Sequence, residues 1–107
     1  MGRVFLLAHS HLDLAFKWTI TDSIRKLERT ISTTINLMDN YDNYYFLQSQ
    51  PILYEYLKEY FPNLFKKVKV KYKENKFLIE GAFYVESDLN LPNGESLIRQ
   101  ILYGKQF

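Results

Sequence analysis

Two short polar clusters carry the side chains in this sequence best able to do chemistry. One is His9-Ser10-His11-Leu12-Asp13 and the other Glu86-Ser87-Asp88-Leu89-Asn90, and each follows an apolar run. If the chain stays extended through the first cluster, alternate side chains point the same way. His11 and Asp13 then present an imidazole and a carboxylate to one metal ion. Nitrogen and oxygen donors of this kind suit zinc, which they bind at about 2.0 to 2.2 Å. Brought beside them, Asp88 would supply a third ligand. Three ligands leave a four-coordinate site open, so the last position falls to solvent, substrate or other sequence. On spacing alone, plainer roles compete. Histidines near a strand end commonly serve as hydrogen-bonding groups, and Asp88 by itself reads as a helix or turn cap. His9 reads either as a partner orienting a ligand or as a side chain bonded to a loop. Glu80 and Glu86 read as strand-end polar groups or surface charge, and Arg25, Arg29 and Arg99 as solvated helix charges.

The elements that must position these groups follow from periodicity. Val4-Phe5-Leu6-Leu7-Ala8 is a continuous apolar run, the pattern of a strand buried on both faces of a parallel sheet. Ile24, Leu27, Ile31, Ile35 and Met38 recur at three- and four-residue steps, which predicts a helix over about 21–40. Thr19 and Asp22 have capping-box spacing at its start, and Asn40 suits its end. A second strand is expected at 44–47. Ser49 followed by Pro51 marks a helix start, because proline costs nothing in a first turn; that helix runs to about Tyr60. Pro62 opens another through Leu64, Phe65 and Val68, although Val68, Val70 and Tyr72 also alternate as a strand would. Residues 77–80 form a third strand candidate, and Leu97, Ile98, Ile101 and Leu102 mark a last helix after a loop at 89–94. Strands alternating with helices imply an α/β fold with a parallel sheet and right-handed crossovers. In such sheets function gathers at the carboxyl ends of the strands, where both polar clusters fall. Three strands are few for a free-standing domain of this class, and the chain stops within a helical pattern, so a truncated larger domain is the economical reading.

Composition narrows the partners. The 107 residues are 47% apolar and 17% aromatic, which permits a packed core and argues against disorder. A formal charge of +2 is too weak to suggest nucleic acid, and the lysines of 66–76 read as a solvated helix face. With no cysteine, neither a disulfide framework nor a thiolate metal site is available. The run at 4–8 is too short for a signal-peptide core or a membrane span. A cytosolic protein without membrane partners is the expectation.

The segment Ala8-His9-Ser10-His11-Leu12-Asp13-Leu14-Ala15-Phe16 resembles the opening motif of the α-mannosidases of glycoside hydrolase family 38. The likeness continues through Ile24-Arg25-Lys26-Leu27-Glu28-Arg29-Thr30, Gln48-Ser49-Gln50-Pro51-Ile52-Leu53-Tyr54-Glu55 and Glu80-Gly81. It closes with Asn90-Leu91-Pro92-Asn93-Gly94-Glu95-Ser96-Leu97 and the segment from Arg99-Gln100 to Tyr103-Gly104-Lys105. Ordered blocks across nearly the whole chain are far more specific than any one of them.

The resemblance implies a retaining glycosidase with one zinc ion on a parallel β/α domain. By motif position it implies His11 and Asp13 as zinc ligands, and Asp88 as the residue that both touches zinc and attacks the sugar. Phe16 stands where the family usually has a Trp stacking on the bound mannose. It keeps an aromatic face and loses area and the indole donor. Ser87 replaces a proline common before the nucleophile, and Thr19 another; these departures bear on substrate preference, not reaction type. A retaining mechanism needs two carboxyl groups about 5 to 5.5 Å apart, one attacking and one protonating the leaving oxygen. Asp88 would be the first, forming a covalent glycosyl-enzyme. The implied general acid and remaining histidine ligand fall beyond residue 107. Partners would be an α-mannoside or mannose-containing oligosaccharide and the remainder of the parent catalytic domain, and a homo-oligomer is compatible. A non-catalytic metal- or carbohydrate-binding module and a deacetylase-like metal hydrolase are the alternatives from other classes.

Overall fold

In the computed structural model, which describes residues 2–14, 18–81, 83–86, 89–90 and 92–106, three short strands form one parallel sheet. The strands are β1 (Ala8–His9), β2 (Phe46–Gln48) and β3 (Phe77–Ile79), in the order β1-β2-β3. The helices are α1 (Ile20–Asn40), α2 (Pro51–Tyr60), α3 (Pro62–Lys73) and α4 (Gly94–Gln106). Ala8 registers with Phe46 and His9 with Leu47, while Phe46, Leu47 and Gln48 register with Phe77, Leu78 and Ile79. Because all three strands run the same way, the segments after His9, Gln48 and Ile79 leave from one end of the sheet. The alternating α/β organisation is therefore as the periodicity implies. No helix among the described residues is long and apolar enough to cross a membrane.

The core forms where the stripe of α1 meets α2, α3 and the sheet. Leu27, Ile31, Ile35 and Met38 are buried, together with Leu53, Tyr54, Leu57, Val68, Phe46 and Phe77. Phe77 lies at its centre, with its ring 5.6 Å from that of Phe46 and edge-on to Tyr54 at 6.2 Å. Such offset and edge-on geometries suit the ring quadrupole. The capping box of α1 is present: the Thr19 hydroxyl accepts from the Asp22 N–H at 3.2 Å, and the Asp22 carboxylate accepts from the Thr19 N–H. Lys71 of α3 reaches Asp39 near the end of α1 at 2.7 Å, and that hydrogen bond holds the Asp39 carboxyl below its ordinary pKa.

Several details differ from the periodicity reading. The run at 4–8 is strand only at its last residue, and Val4, Phe5 and Leu6 are 87%, 80% and 89% exposed. A doubly buried strand needs a layer on each face, and among the described residues β1 lies at the edge of the sheet beside β2. The alternation Val68-Val70-Tyr72 is helical. Val68 packs inward while Val70 and Tyr72 face solvent, because the 3.6-residue period carries Val68 onto the face shared by Leu64 and Phe65. The helix opened by Pro51 is present as α2, and the residue before it, Gln50, takes a left-handed conformation with φ 67°.

Phe77→Ala removes the central ring and should lower unfolding free energy by about 3 to 5 kcal/mol. Urea denaturation with an unchanged slope checks this, and a loss below about 1 kcal/mol would contradict its central place.

Candidate functional site

At the carboxyl end of the sheet the chain from Ser10 to Asp13 is held carbonyl by carbonyl. The Gln48 amide donates to the Ser10 carbonyl at 2.9 Å, and the Gln50 amide donates to the Leu12 carbonyl at 2.9 Å. The Asp13 carbonyl accepts from the Trp18 indole at 2.9 Å and from the Ser23 hydroxyl at 3.1 Å. Leu12 meanwhile points into the core. Its two neighbours are thereby turned outward, with side chains 53% exposed for His11 and 39% for Asp13. The structure brings those two together: His11 Nε2 and Asp13 Oδ1 stand 2.9 Å apart.

The hold is built from buried polar groups. Gln48 and Gln50 are inaccessible or nearly so, and Ser49 between them is buried. Gln48 is fixed in turn by the Tyr54 hydroxyl, which donates to its carbonyl at 2.7 Å; burial pushes the Tyr54 pKa up, so the phenol keeps its proton. The Gln48 side-chain oxygen is buried, with no hydrogen-bond partner among the described residues. Leaving such an acceptor bare costs about 1 to 3 kcal/mol. Gln48 is therefore a poor choice for stability alone and a reasonable one for gripping Ser10. Gln50 adds a second local cost, since a left-handed non-glycine residue is strained by about 1 to 3 kcal/mol. The strained turn aims its amide at the first cluster and its oxygen at the second.

The second cluster arrives through the segment after β3. Gly81 has φ 98°, and a Cβ there would lie 3.2 Å from that of Ser49. The chain passes this close to the end of β2 because glycine has neither the steric bar nor the side chain. Further on, the Tyr84 carbonyl accepts from the Ile52 N–H at 3.3 Å, and the Tyr84 and Val85 N–H groups donate to the Gln100 carbonyl and side-chain oxygen. The Tyr84 hydroxyl donates to Glu55, and burial first, then that carboxylate, pushes its pKa up to about 12. The segment is thus docked between α2 and α4. It ends at Glu86, whose N–H donates to Gln50 Oε1 at 3.0 Å and whose carboxylate accepts from the Ser49 hydroxyl. The other carboxylate oxygen lies 2.5 Å from His11 Nδ1.

One imidazole therefore stands between two carboxylates. The imidazole and carboxylate donors are of the kind zinc takes, but at 2.9 Å they stand closer than two ligands of one ion would. Two ligands about 2.1 Å from a tetrahedral zinc stand about 3.4 Å apart, half an ångström beyond the observed spacing. Among the described residues no group of three or more His, Cys, Asp or Glu side chains is arranged to hold a metal ion. Asp88, the expected third ligand, and Phe16, the expected stacking ring, lie outside the described residues.

Other polar candidates separate from the site. His9 is an exposed residue of β1 in register with Leu47. Arg99 pairs with Glu95 one turn away at 2.9 Å, and Arg25 and Arg29 are exposed. The residues that pattern reading left without a site role are Trp18, Gln48, Ser49, Gln50 and Glu86. The run Gln48-Ser49-Gln50 directly after an apolar strand was the available signal, since three consecutive polar residues entering a core need internal partners.

A parallel α/β unit that gathers histidine, carboxylates and amides at the carboxyl ends of its strands belongs to the class whose function resides at that end. Residues 1–107 match the family described as Glycosyl hydrolases family 38 N-terminal domain. The chain is 42% identical over 98% of its length to alpha-mannosidase G of Dictyostelium discoideum. It is 36% identical over its whole length to an alpha-mannosidase of Saccharomyces cerevisiae, and 33% over 97% to mouse alpha-mannosidase 2C1. It spans 10% of the length of each of these relatives. This chain belongs to glycosyl hydrolase family 38.

Gly81→Ala would strain the backbone and press on Ser49, so a stability loss of about 1 to 3 kcal/mol is expected. Thermal unfolding measures it, and an unshifted midpoint would contradict the close approach of these two segments.

Proposed function

We propose that the chain forms the amino-terminal part of the catalytic domain of a zinc-dependent retaining α-mannosidase, acting on α-mannosides or mannose-containing oligosaccharides. The observation that carries this reading is the coincidence of the family match with an exposed His11–Asp13 pair fixed at the carboxyl end of a parallel sheet. His11, Asp13 and Asp88 would hold the zinc ion. When bound, zinc would orient adjacent sugar hydroxyls and favour the ionised form of a neighbouring carboxylate.

The chain's own residues supply the rest. Gln48, Gln50 and Trp18 hold the backbone carbonyls that keep His11 and Asp13 outward. The Asp88 carboxylate attacks the anomeric carbon and forms a C–O bond to it, while the bond to the departing oxygen breaks. That oxygen takes a proton from a carboxylic acid elsewhere in the protein, and water later releases the sugar from Asp88. Phe16 offers its ring face to the bound sugar. Glu86 is not the acid in this scheme, because its two oxygens already face the Ser49 hydroxyl and His11. The cysteine-free composition suits a reducing, cytosolic setting.

Protein expressed from the complete reading frame should hydrolyse an aryl α-mannoside, and the purified 107-residue chain should not. Turnover by the verified short chain would contradict the assignment of the acid to other sequence. In the same full-length protein His11→Ala should lower zinc content by at least tenfold, read by elemental analysis. Undiminished zinc would remove His11 from the ligand set.

A further inference from the structure

The proposed metal reading leaves open which nitrogen of His11 faces the ion, and the structure bears on that point through Glu86. A metal-bound imidazole carries its proton on the nitrogen away from the metal, and the partner of that N–H decides the tautomer and the ring's orientation. Of the two ring nitrogens, Nδ1 lies 2.5 Å from Glu86 Oε2 and Nε2 lies 2.9 Å from Asp13 Oδ1. The two carboxylates are not equivalent. Asp13 is two residues from His11 on the same extended strand end, the spacing that presents two side chains together to one ligand.

Glu86 instead approaches from another part of the chain and is anchored before it reaches the ring. Its Oε1 accepts from the buried Ser49 hydroxyl and its N–H donates to the buried Gln50 oxygen at 3.0 Å. The next residue back, Val85, is tied to Gln100 at 2.8 Å. One carboxylate oxygen is thereby committed to the scaffold, and the other is left aimed at Nδ1. The anchoring runs through the same Gln50 that holds the Leu12 carbonyl beside His11, so the backbone next to His11 and the backbone of Glu86 are held by a single side chain. An exposed contact of this kind adds little to stability. Its geometric effect is to keep one edge of the imidazole occupied.

We propose that Glu86 is the positioning residue of His11: it accepts the Nδ1 proton, and so presents Nε2, beside Asp13, as the nitrogen that binds the metal. The inference rests on the metal-site reading above. Ser49 and Gln50 serve it by holding Glu86. The residue is not a ligand and not the acid that protonates the leaving group.

The test uses the full-length protein and zinc itself. Zinc dissociation constants are measured by chelator competition, alongside the melting temperature of the metal-stripped protein. Wild type must first bind one zinc; if it binds none, the metal-site reading fails. Given binding, Glu86→Met keeps the size and loses the acceptor, and should weaken zinc binding about 10- to 100-fold. Its metal-free melting temperature should stay near wild type. Glu86→Gln keeps an acceptor oxygen and should stay within a few fold of wild type. Ser49→Ala, which loosens Glu86 without touching His11, should fall between them. Glu86→Met binding as tightly as wild type would overturn the proposal while leaving the metal site standing. Glu86→Gln losing as much as Glu86→Met would also overturn it, since charge and not acceptance of the proton would then be what matters. If Glu86→Met is too unstable to purify, Glu86→Gln and Ser49→Ala decide the matter, and wild-type affinity in Ser49→Ala overturns the proposal.

Discussion

The site depends on one constraint: the backbone carbonyls of residues 10, 12 and 13 are each gripped by a side chain from behind. Gln48 takes the first, Gln50 the second, and Trp18 with Ser23 the third. An extended segment leaving a strand end would ordinarily give its carbonyls to water and wander. Here they are satisfied inside the protein, the first two by alternate residues of a second strand end. That spacing matches the two-residue period of the segment they hold, so Leu12 turns into the core while His11 and Asp13 turn out. Packing and chemistry are coupled at this point, because the buried leucine and the outward pair are consecutive residues of one extended chain.

The cost of the arrangement is visible where stability would have chosen otherwise. A buried glutamine oxygen with no partner among the described residues, a left-handed Gln50 and a tight Gly81–Ser49 approach all lie within the residues that frame the site. Local departures of this sort concentrate at functional positions, where surrounding structure holds them in place. The surrounding structure here is ordinary: a long capped α1, a core centred on Phe77, and two proline-started helices.

Much of the fold was legible because period and punctuation agreed. The stripe from Leu27 to Met38, the Thr19 capping box and the proline at 51 each had one reading, and α1 and α2 follow them; after Pro62 the helical reading prevailed over the strand-like alternation of Val68, Val70 and Tyr72. The run at 4–8 misled because apolarity reports a tendency to be covered, not the presence of a cover; in the sheet of this chain only its last residue is paired. At the site, His11 and Asp13 stand out in sequence because their donors are short and close together. Glu86 does not, since nothing in a string of residues says that a carboxylate 75 positions downstream (86 minus 11) will meet the imidazole. That pairing is a product of parallel topology, which carries the ends of β1, β2 and β3 to one edge. The polar run at 48–50 was visible but unassigned, because burial of amides becomes meaningful only once their partners are placed.

In the function proposed above, a cation shared by residues 11, 13 and 88 would join this scaffold to glycoside chemistry. Anomalous diffraction at the zinc edge from crystals of the full-length protein locates such an ion directly. A single peak about 2.0 to 2.2 Å from His11 Nε2 and from the carboxylates of Asp13 and Asp88 is the expected result. A zinc peak bound elsewhere, with Asp88 turned away from His11 and Asp13, would contradict the account.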